Sequence, residues 1–308
     1  MITFEDVLWF MRAYYLSQAF GMLFAAMLPA FRSLARYGKT LESPIAKSDA
    51  TSATHGLMVS KKRMRDYYIF ASFYCCYLLY ELILRNVFHD TGFLFRWFQV
   101  YISSPSSAFI AKNGVDALLA TFLMQIQVAR RLWDCVMVDR PSPKSKMPLI
   151  SHYILGILYY VFSCVAVWID ASPNLGIWTS STISMDWKSL ANHVQWHHVI
   201  AIVLFIWASY HQHRAHVILA SLRSPGSTEY KIPNGDWFEY VSSPHYTAEI
   251  IIYLCMWWIS GFSITLGCDL VLVVVNLSIS AVDGLSWYRQ KFGEKWPQNR
   301  KAIIPGVL

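Results

Sequence analysis

Between His211 and Tyr253 the chain reads HQHRAHVILASLRSPGSTEYKIPNGDWFEYVSSPHYTAEIIIY, with bases, acids, amides and aromatics crowded between two long apolar runs. Gln212, His216, Arg223, Tyr230, Lys231, Asp236, Glu239, Tyr240, His245 and Glu249 all fall inside it. Arg223 and Lys231 suit phosphate, the first by its planar fork of donors and the second as a point charge. Glu249 stands early in an apolar run, where an unpaired carboxylate is costly, so it must face the helix bundle or a polar ligand. Together these residues predict a cavity that accepts a charged cofactor. A dinucleotide would not be held there in the usual way. The chain contains no GxG and no alternation of strand with helix, which excludes a Rossmann site.

Three further groups of residues could do chemistry. Gln125 and Gln127, in LMQIQVARRLW, put amides into an apolar helix just before two arginines. Buried amides need partners, which could be neighbouring helices or a ligand oxygen. The histidines of HVQWHH (His193, His197, His198) and HQHRAH (His211, His213, His216) have the look of a membrane di-iron oxygenase. Distance opposes it: His198 and His211 sit at opposite ends of one apolar helix, about 20 Å apart, whereas paired metals lie about 4 Å apart. No metal is expected, and the first cluster reads as polar residues at a membrane interface. Glu81 and Arg85, four apart on an apolar run, read as a structural pair. The six cysteines lie in or near apolar segments without a CxxC, as packed thiols.

The elements that must position these groups are membrane helices. Of 308 residues 55% are hydrophobic and only 15% charged, too few charges to cover a soluble protein of this size. The net charge of +7 follows the loops and forms no basic face with interleaved aromatics, so no nucleic-acid partner is expected. A helix needs about 20 apolar residues to cross the hydrocarbon core. Seven stretches approach that length: Val7–Leu28, Tyr67–Phe88, Gly114–Trp133, His152–Ile169, Val199–Ile218, Tyr246–Gly267 and Cys268–Trp287. The last two are nearly continuous and are divided at Gly267. All but five of the 26 lysines and arginines fall in alternate loops. The exceptions are Arg12 and Arg85 inside spans and Arg96, Lys112 and Lys188 on the other side. Basic loops stay cytosolic, so the prediction is an all-α, seven-span integral membrane protein, a single domain over 1–308, with a lumenal amino terminus and a cytosolic carboxyl terminus. The amino terminus lacks the basic start and cleavage site of a signal peptide, and the first run is expected to stay as an anchor. The polar stretch 39–60 reads as a mobile loop, and GFLFRWFQVYISSPSSAFIA as an interfacial segment.

With these residues in view, HQHRAHVILASLR, YKIPNGDWFEYVSSPHYTAEIIIYL and WYRQKFGEKWPQNRKAIIP closely resemble the carboxyl-terminal half of the steroid 5α-reductase family. Its type 3 branch, the polyprenal reductases of dolichol synthesis, fits best, and ARRLWDC at 129–135 adds a weaker match. The resemblance implies a multi-pass enzyme of the endoplasmic reticulum that uses NADPH to reduce a carbon–carbon double bond conjugated to a carbonyl. It implies cofactor-side roles for Gln212, His216, Arg223, Tyr230, Lys231, His245, Glu249 and Tyr288. It places Gln127 on the substrate side, where steroid-reducing members have a tyrosine, and Ser280 where they have an arginine. Members commonly carry a histidine just before the aromatic pair that is Trp287-Tyr288 here, whereas this chain reads Asp283-Gly284-Leu285-Ser286. The implied substrate is a long-chain isoprenoid aldehyde whose tail lies among helices or membrane lipids, acted on by a monomer. The implied catalytic residues are Gln127, Tyr288 and Glu249: Gln127 or Tyr288 meets the charge on the carbonyl oxygen, and Tyr288 or water delivers the proton. The alternatives are another lipid enone or enoyl substrate, such as a 3-oxo-4-ene steroid; a di-iron hydroxylase or desaturase; and a noncatalytic transporter.

Overall fold

The structure, a computed structural model, describes residues 2–28, 58–141, 145–178, 193–223 and 229–307. Among them the long apolar runs form helices: α1 (Phe4–Met27), α2 (Met64–Val87), α4 (Gly114–Trp133), α5 (Leu155–Ala166), α6 (Trp196–Ser221), α7 (Pro244–Ile259) and α8 (Ile264–Phe292). A short helix, α3 (Phe93–Tyr101), occupies the aromatic segment expected at the interface. Each of the seven expected stretches overlaps a different long helix, Tyr246–Gly267 running through α7 into the start of α8. By length and composition three helical runs among the described residues can cross a membrane: Lys61–Val87, His152–Leu175 and Ile264–Lys295.

Local chemistry sets the ends. Thr3 and Asp6 cap α1 reciprocally, and the Asn113 side chain accepts the Val115 N–H at 2.8 Å to start α4 at Gly114. The division between the last two helices differs from the expected Gly267. It lies at Ser260–Ser263, where Gly261 and Phe262 both adopt positive φ (+66° and +59°). Ser263 then caps α8 by accepting the Leu266 N–H at 3.2 Å. A polar Ser-Gly-Phe-Ser turn can close its own hydrogen bonds, whereas Gly267 lies inside α8 against the Trp257 indole.

Helix packing closes a ring: α8 packs on α7, α7 on α4, α4 on α2, α2 on α5, and α5 on α8, while α1 lies against α8 and α6 against α7. The stretch expected to be a mobile loop ends differently. Met58–Ser60 forms a strand, β1, antiparallel to β2 (Lys146–Pro148), with Met58 opposite Pro148 and Ser60 opposite Lys146. Residues 39–57 lie outside the described residues, as do Arg32, Arg36, Lys47, Lys144 and Lys188 of the orientation argument.

Away from this ribbon, one polar knot joins three elements. Asp170, in the turn after α5, accepts from Ser263 Oγ (2.8 Å), Thr265 N (3.0 Å), Thr265 Oγ1 (2.7 Å) and Arg12 of α1 (3.2 Å). Removing one partner of a buried pair strands the other charge. Asp170→Ala is therefore expected to destabilise the detergent-solubilised protein by about 3 kcal/mol, read as a lowered unfolding temperature. Asp90→Ala, which removes the exposed Arg96–Asp90 pair and an exposed acceptor of the Thr91 N–H, leaves the transition in place.

Candidate active site

One large cavity, of about 760 Å³, opens at the end of the ring where α4, α6 and α7 meet the carboxyl-terminal part of α8. Its wall changes character along its length. Met22, Leu155, Leu272 and Val273 make it apolar among the helices, while Arg223, Lys231 and Arg140 make it basic near one end.

The deep polar face is built by three helices. Gln127 of α4 donates to Gln212 Oε1 of α6 (3.1 Å) and to Glu249 Oε2 of α7 (3.0 Å). Gln212 donates to the same Glu249 oxygen and to the His245 carbonyl (3.1 Å). Arg130 closes the group by donating to Gln127 Oε1 (2.8 Å), Gln212 Oε1 and Asp134 Oδ2 (2.8 Å). Gln212 and Glu249 line the cavity; Gln127, 2% exposed, stands behind them with its amide committed to them. Of the two partners open to it from the sequence, a neighbouring helix or a ligand, Gln127 thus takes the helices.

Beyond α4 the backbone widens into a π-turn, Asp134–Val138, in which the Asp139 N–H reaches back five residues to the Asp134 carbonyl (2.7 Å). The widening brings two acids five residues apart against two histidines three apart on α6: Asp134 pairs with His213 (2.6 Å) and Asp139 with His216 (2.9 Å). Arg131, buried beside them, bonds Asp134 (3.1 Å), lies over the Tyr68 ring (5.0 Å) and lines the cavity. Burial opposes ionisation of Asp139, but the His216 hydrogen bond and charge and then Arg131 outweigh it and hold the carboxyl at about 2. Cys135 also lines the cavity. Burial pushes its thiol up to about 12, so it is no nucleophile at neutral pH.

His216, Arg223, Tyr230, Lys231, His245 and Tyr288 from the sequence reading line the same cavity, as do Ser280 and Asp283. Tyr288 stacks on Trp296 (4.6 Å, 13°), and Arg223 lies over the Tyr230 ring (5.4 Å). Two predicted cofactor residues are elsewhere. Asp236 bonds His211 (2.7 Å), whose ring stacks on Trp237 (4.5 Å), and Tyr240 is 62% exposed. Both belong to a strap, YKIPNGDWFEYV, that turns at Gly235 (φ +91°) and is held by the tail. Arg300 donates to the Pro233 carbonyl (2.6 Å) and to Asn234 (2.8 Å), and Val241 bridges to Lys301. Their polarity serves the strap, which carries Tyr230 and Lys231 to the cavity.

Sequence reasoning missed Arg131, Asp134 and Asp139, although Arg131 and Asp134 lie in the ARRLWDC match. It also missed Lys61, Lys62 and Arg65, which reach the cavity from the ribbon end of α2. The first histidine cluster lies at the other end of α6. His193 and His198 both meet Asp116 Oδ1 (2.8 and 3.1 Å), a grouping compact enough for a metal ion. His198 Nδ1, however, accepts the Gln195 N–H (3.0 Å), so its Nε2 carries the ring hydrogen and points it at Asp116. That makes a hydrogen-bonded cluster.

The residues fit a bulky anionic cofactor. Arg223 Nη1 is buried and meets no acceptor among the described residues. An orphaned guanidinium N–H beside a lysine suits a phosphate oxygen.

The chain also has relatives among known proteins. Residues 158–308 match the family described as 3-oxo-5-alpha-steroid 4-dehydrogenase. The chain is similar to polyprenal reductase 1 of Oryza sativa subsp. indica, 32% identical with 93% of this chain and 90% of the relative covered. It is likewise similar to the human polyprenal reductase (29%; 95% and 92%) and to that of Danio rerio (30%; 100% and 99%).

The Asp139–His216 pair has a measurable signature. A carboxyl held at about 2 when folded, against an ordinary 3.8, contributes on the order of 2 kcal/mol at pH 7. That contribution is present above the unfolded value and fades as pH falls toward 2. Asp139→Asn is expected to lower unfolding stability at pH 7 by this amount, with a smaller gap at pH 3. A gap independent of pH would mean that the charge contributes nothing.

Proposed function

We infer the function from a premise that the comparisons establish: the chain belongs to the steroid 5α-reductase family, and it is an oxidoreductase acting on carbon–carbon double bonds. We propose that it reduces the α,β double bond of a polyprenal-like isoprenoid aldehyde with NADPH, in the membrane of the endoplasmic reticulum, for dolichol synthesis and protein N-glycosylation. On this reading seven helices span the bilayer, with a lumenal amino terminus and a cytosolic carboxyl terminus. The enzyme acts as a monomer.

The observation that carries this reading is the single cavity whose basic, aromatic end continues into an apolar passage among the helices, with Gln212 and Glu249 between them. A water-soluble anionic cofactor and a lipid substrate need such a meeting place. Arg223, Lys231 and the basic residues at and just before the start of α2 hold phosphate at the mouth, with Tyr230 beside Arg223. His216, His245 and Tyr288 line the route inward. When bound, the cofactor supplies a hydride to the β-carbon of the conjugated aldehyde. Negative charge then develops on the carbonyl oxygen and must be met by fixed donors in a dry site. Tyr288 meets it directly. Gln127, placed behind Glu249, acts as a positioning residue by holding that carboxylate and Gln212 in one orientation. An apolar passage fits an isoprenoid tail at least as well as a steroid nucleus, and the relatives named polyprenal reductases favour the former.

The test is turnover by purified protein with NADPH, polyprenal and a 3-oxo-4-ene steroid being offered side by side and products identified by mass spectrometry. Saturation of the α,β bond of polyprenal is expected. Activity on the steroid alone would overturn the substrate assignment and keep the family. Arg223→Ala is expected to raise KM for NADPH by roughly 10- to 100-fold, the worth of one charge-assisted contact, with kcat little changed. Gln127→Ala should lower kcat about tenfold, as expected from leaving buried partners unmet, and leave KM for NADPH alone; unchanged turnover would remove Gln127 from the machinery.

A further inference from the structure

Asp269 is the buried acid that this reading does not use. It lies on α8, one turn before the cavity residues Leu272 and Val273, is fully buried, and neither carboxylate oxygen has a hydrogen-bond partner among the described residues. The groups that face it are hydroxyls. Tyr159 and Ser163 of α5 stand beside it, Tyr14 and Tyr15 of α1 and Tyr253 of α7 lie close, and Cys164 is the nearby thiol. The hydroxyls of Tyr14, Tyr15 and Ser163 are also buried, with no partner in hydrogen-bond geometry among the described residues. No cation among the described residues answers Asp269: Arg12 is committed to Asp170 (3.2 Å) and Thr265 (3.1 Å).

A carboxylate with neither an N–H donor nor a counter-ion in an apolar bundle is very costly, and the same group carrying its proton is not. Tyrosine hydroxyls stand between that proton and the cavity, Tyr159 lying beside Asp269 without being bonded to it in the resting structure. Tyr159 donates to Tyr253 at 2.9 Å, both tyrosines line the cavity, and Tyr253 lies one turn from Glu249 on α7.

We propose that Asp269 is a stored proton for the reduction, delivered to the substrate's α-carbon through Tyr159 and Tyr253. This rests on the reading of the cavity as the site of conjugate reduction. Hydride from the reduced nicotinamide forms the C–H bond at the β-carbon, and the π electrons of the double bond move to give an enolate. The α-carbon forms its C–H bond with the proton of Tyr253 as that O–H breaks. Tyr253 takes the proton of Tyr159, and Tyr159 that of Asp269. Two electrons have come from the nicotinamide, which is left oxidised, and one proton from Asp269, which is left as a carboxylate. A proton from bulk solvent, carried in by water after product leaves, restores it. Tyr253 is the catalytic donor in this scheme; Tyr159 and Asp269 act through it.

The decisive measurement needs no substrate. Infrared difference spectra of purified wild type against Asp269→Asn, in detergent at neutral pH, are expected to show the carbonyl stretch of a protonated carboxyl in wild type, shifted in D2O and missing from the variant. Tyr159→Phe should keep that band. In turnover, Asp269→Asn and Tyr159→Phe should each lower kcat at least tenfold with KM unchanged and alter the solvent isotope effect. Absence of the band, or wild-type kcat in both variants, overturns the proposal. Wild type that reduces neither polyprenal nor a steroid enone overturns the function and with it the use made of the proton, whereas the band alone still decides whether Asp269 stores one.

Discussion

A carboxylate among apolar helices must be met by donors, and Glu249 is met by two amides from two other helices. That one requirement fixes the geometry of the site. Gln127 and Gln212 both reach the same oxygen of Glu249, so α4, α6 and α7 cannot rotate or slide independently without stranding a charge. Arg130 extends the constraint to the π-turn, where Asp134 and Asp139 take His213 and His216. The helices that form the polar face are therefore locked by the groups that would serve the chemistry, and positioning and reactivity are one network.

The rest of the molecule brings mobile kinds of residue to that rigid centre. Arg223 and Lys231 lie after the end of α6, where backbone alone would leave them free. The strap from Tyr230 to Val241 is tied down twice, to α6 by His211 and Trp237 and to the tail by Arg300. On the opposite wall a ribbon of three residues a side holds the start of α2, so that Lys61, Lys62 and Arg65 face the same opening. Segments far apart in sequence thus close around one basic mouth. Its size and charge distribution suit a molecule with an anionic end and a flat end, and the apolar passage behind it suits a lipid.

Much of this was legible in the residues themselves. Apolar run lengths located the long helices, and α4 begins and ends at the expected Gly114 and Trp133, because an Asn cap and two arginines punctuate it in the sequence. Phosphate-binding residue types in one stretch located the cavity's basic end. The division at Gly267 was misplaced because hydropathy does not see that two serines can satisfy a turn's backbone in place of water. Polarity in a stretch does not say which way each side chain faces, so Asp236 and Tyr240 read as cofactor residues although they lie off the cavity; of the strap, Tyr230 and Lys231 at its start line the cavity, and the turn at Gly235 carries the rest toward α6 and the tail.

What the sequence determined by itself was the material: a chain too apolar to be soluble, helices of bilayer length, no Rossmann site, and the motifs of one enzyme family. Tertiary structure alone decided which polar groups meet. Gln127 and Glu249 are 122 residues apart, and nothing local tells an amide that looks into a cavity from one that holds its neighbour in place. Asp269 shows the same limit. In the sequence it is an acid in an apolar run, and only the packing of α1 and α5 around it leaves it among hydroxyls with no counter-charge. Burial and partnership belong to pairs of helices, so they are settled only when the helices close on one another.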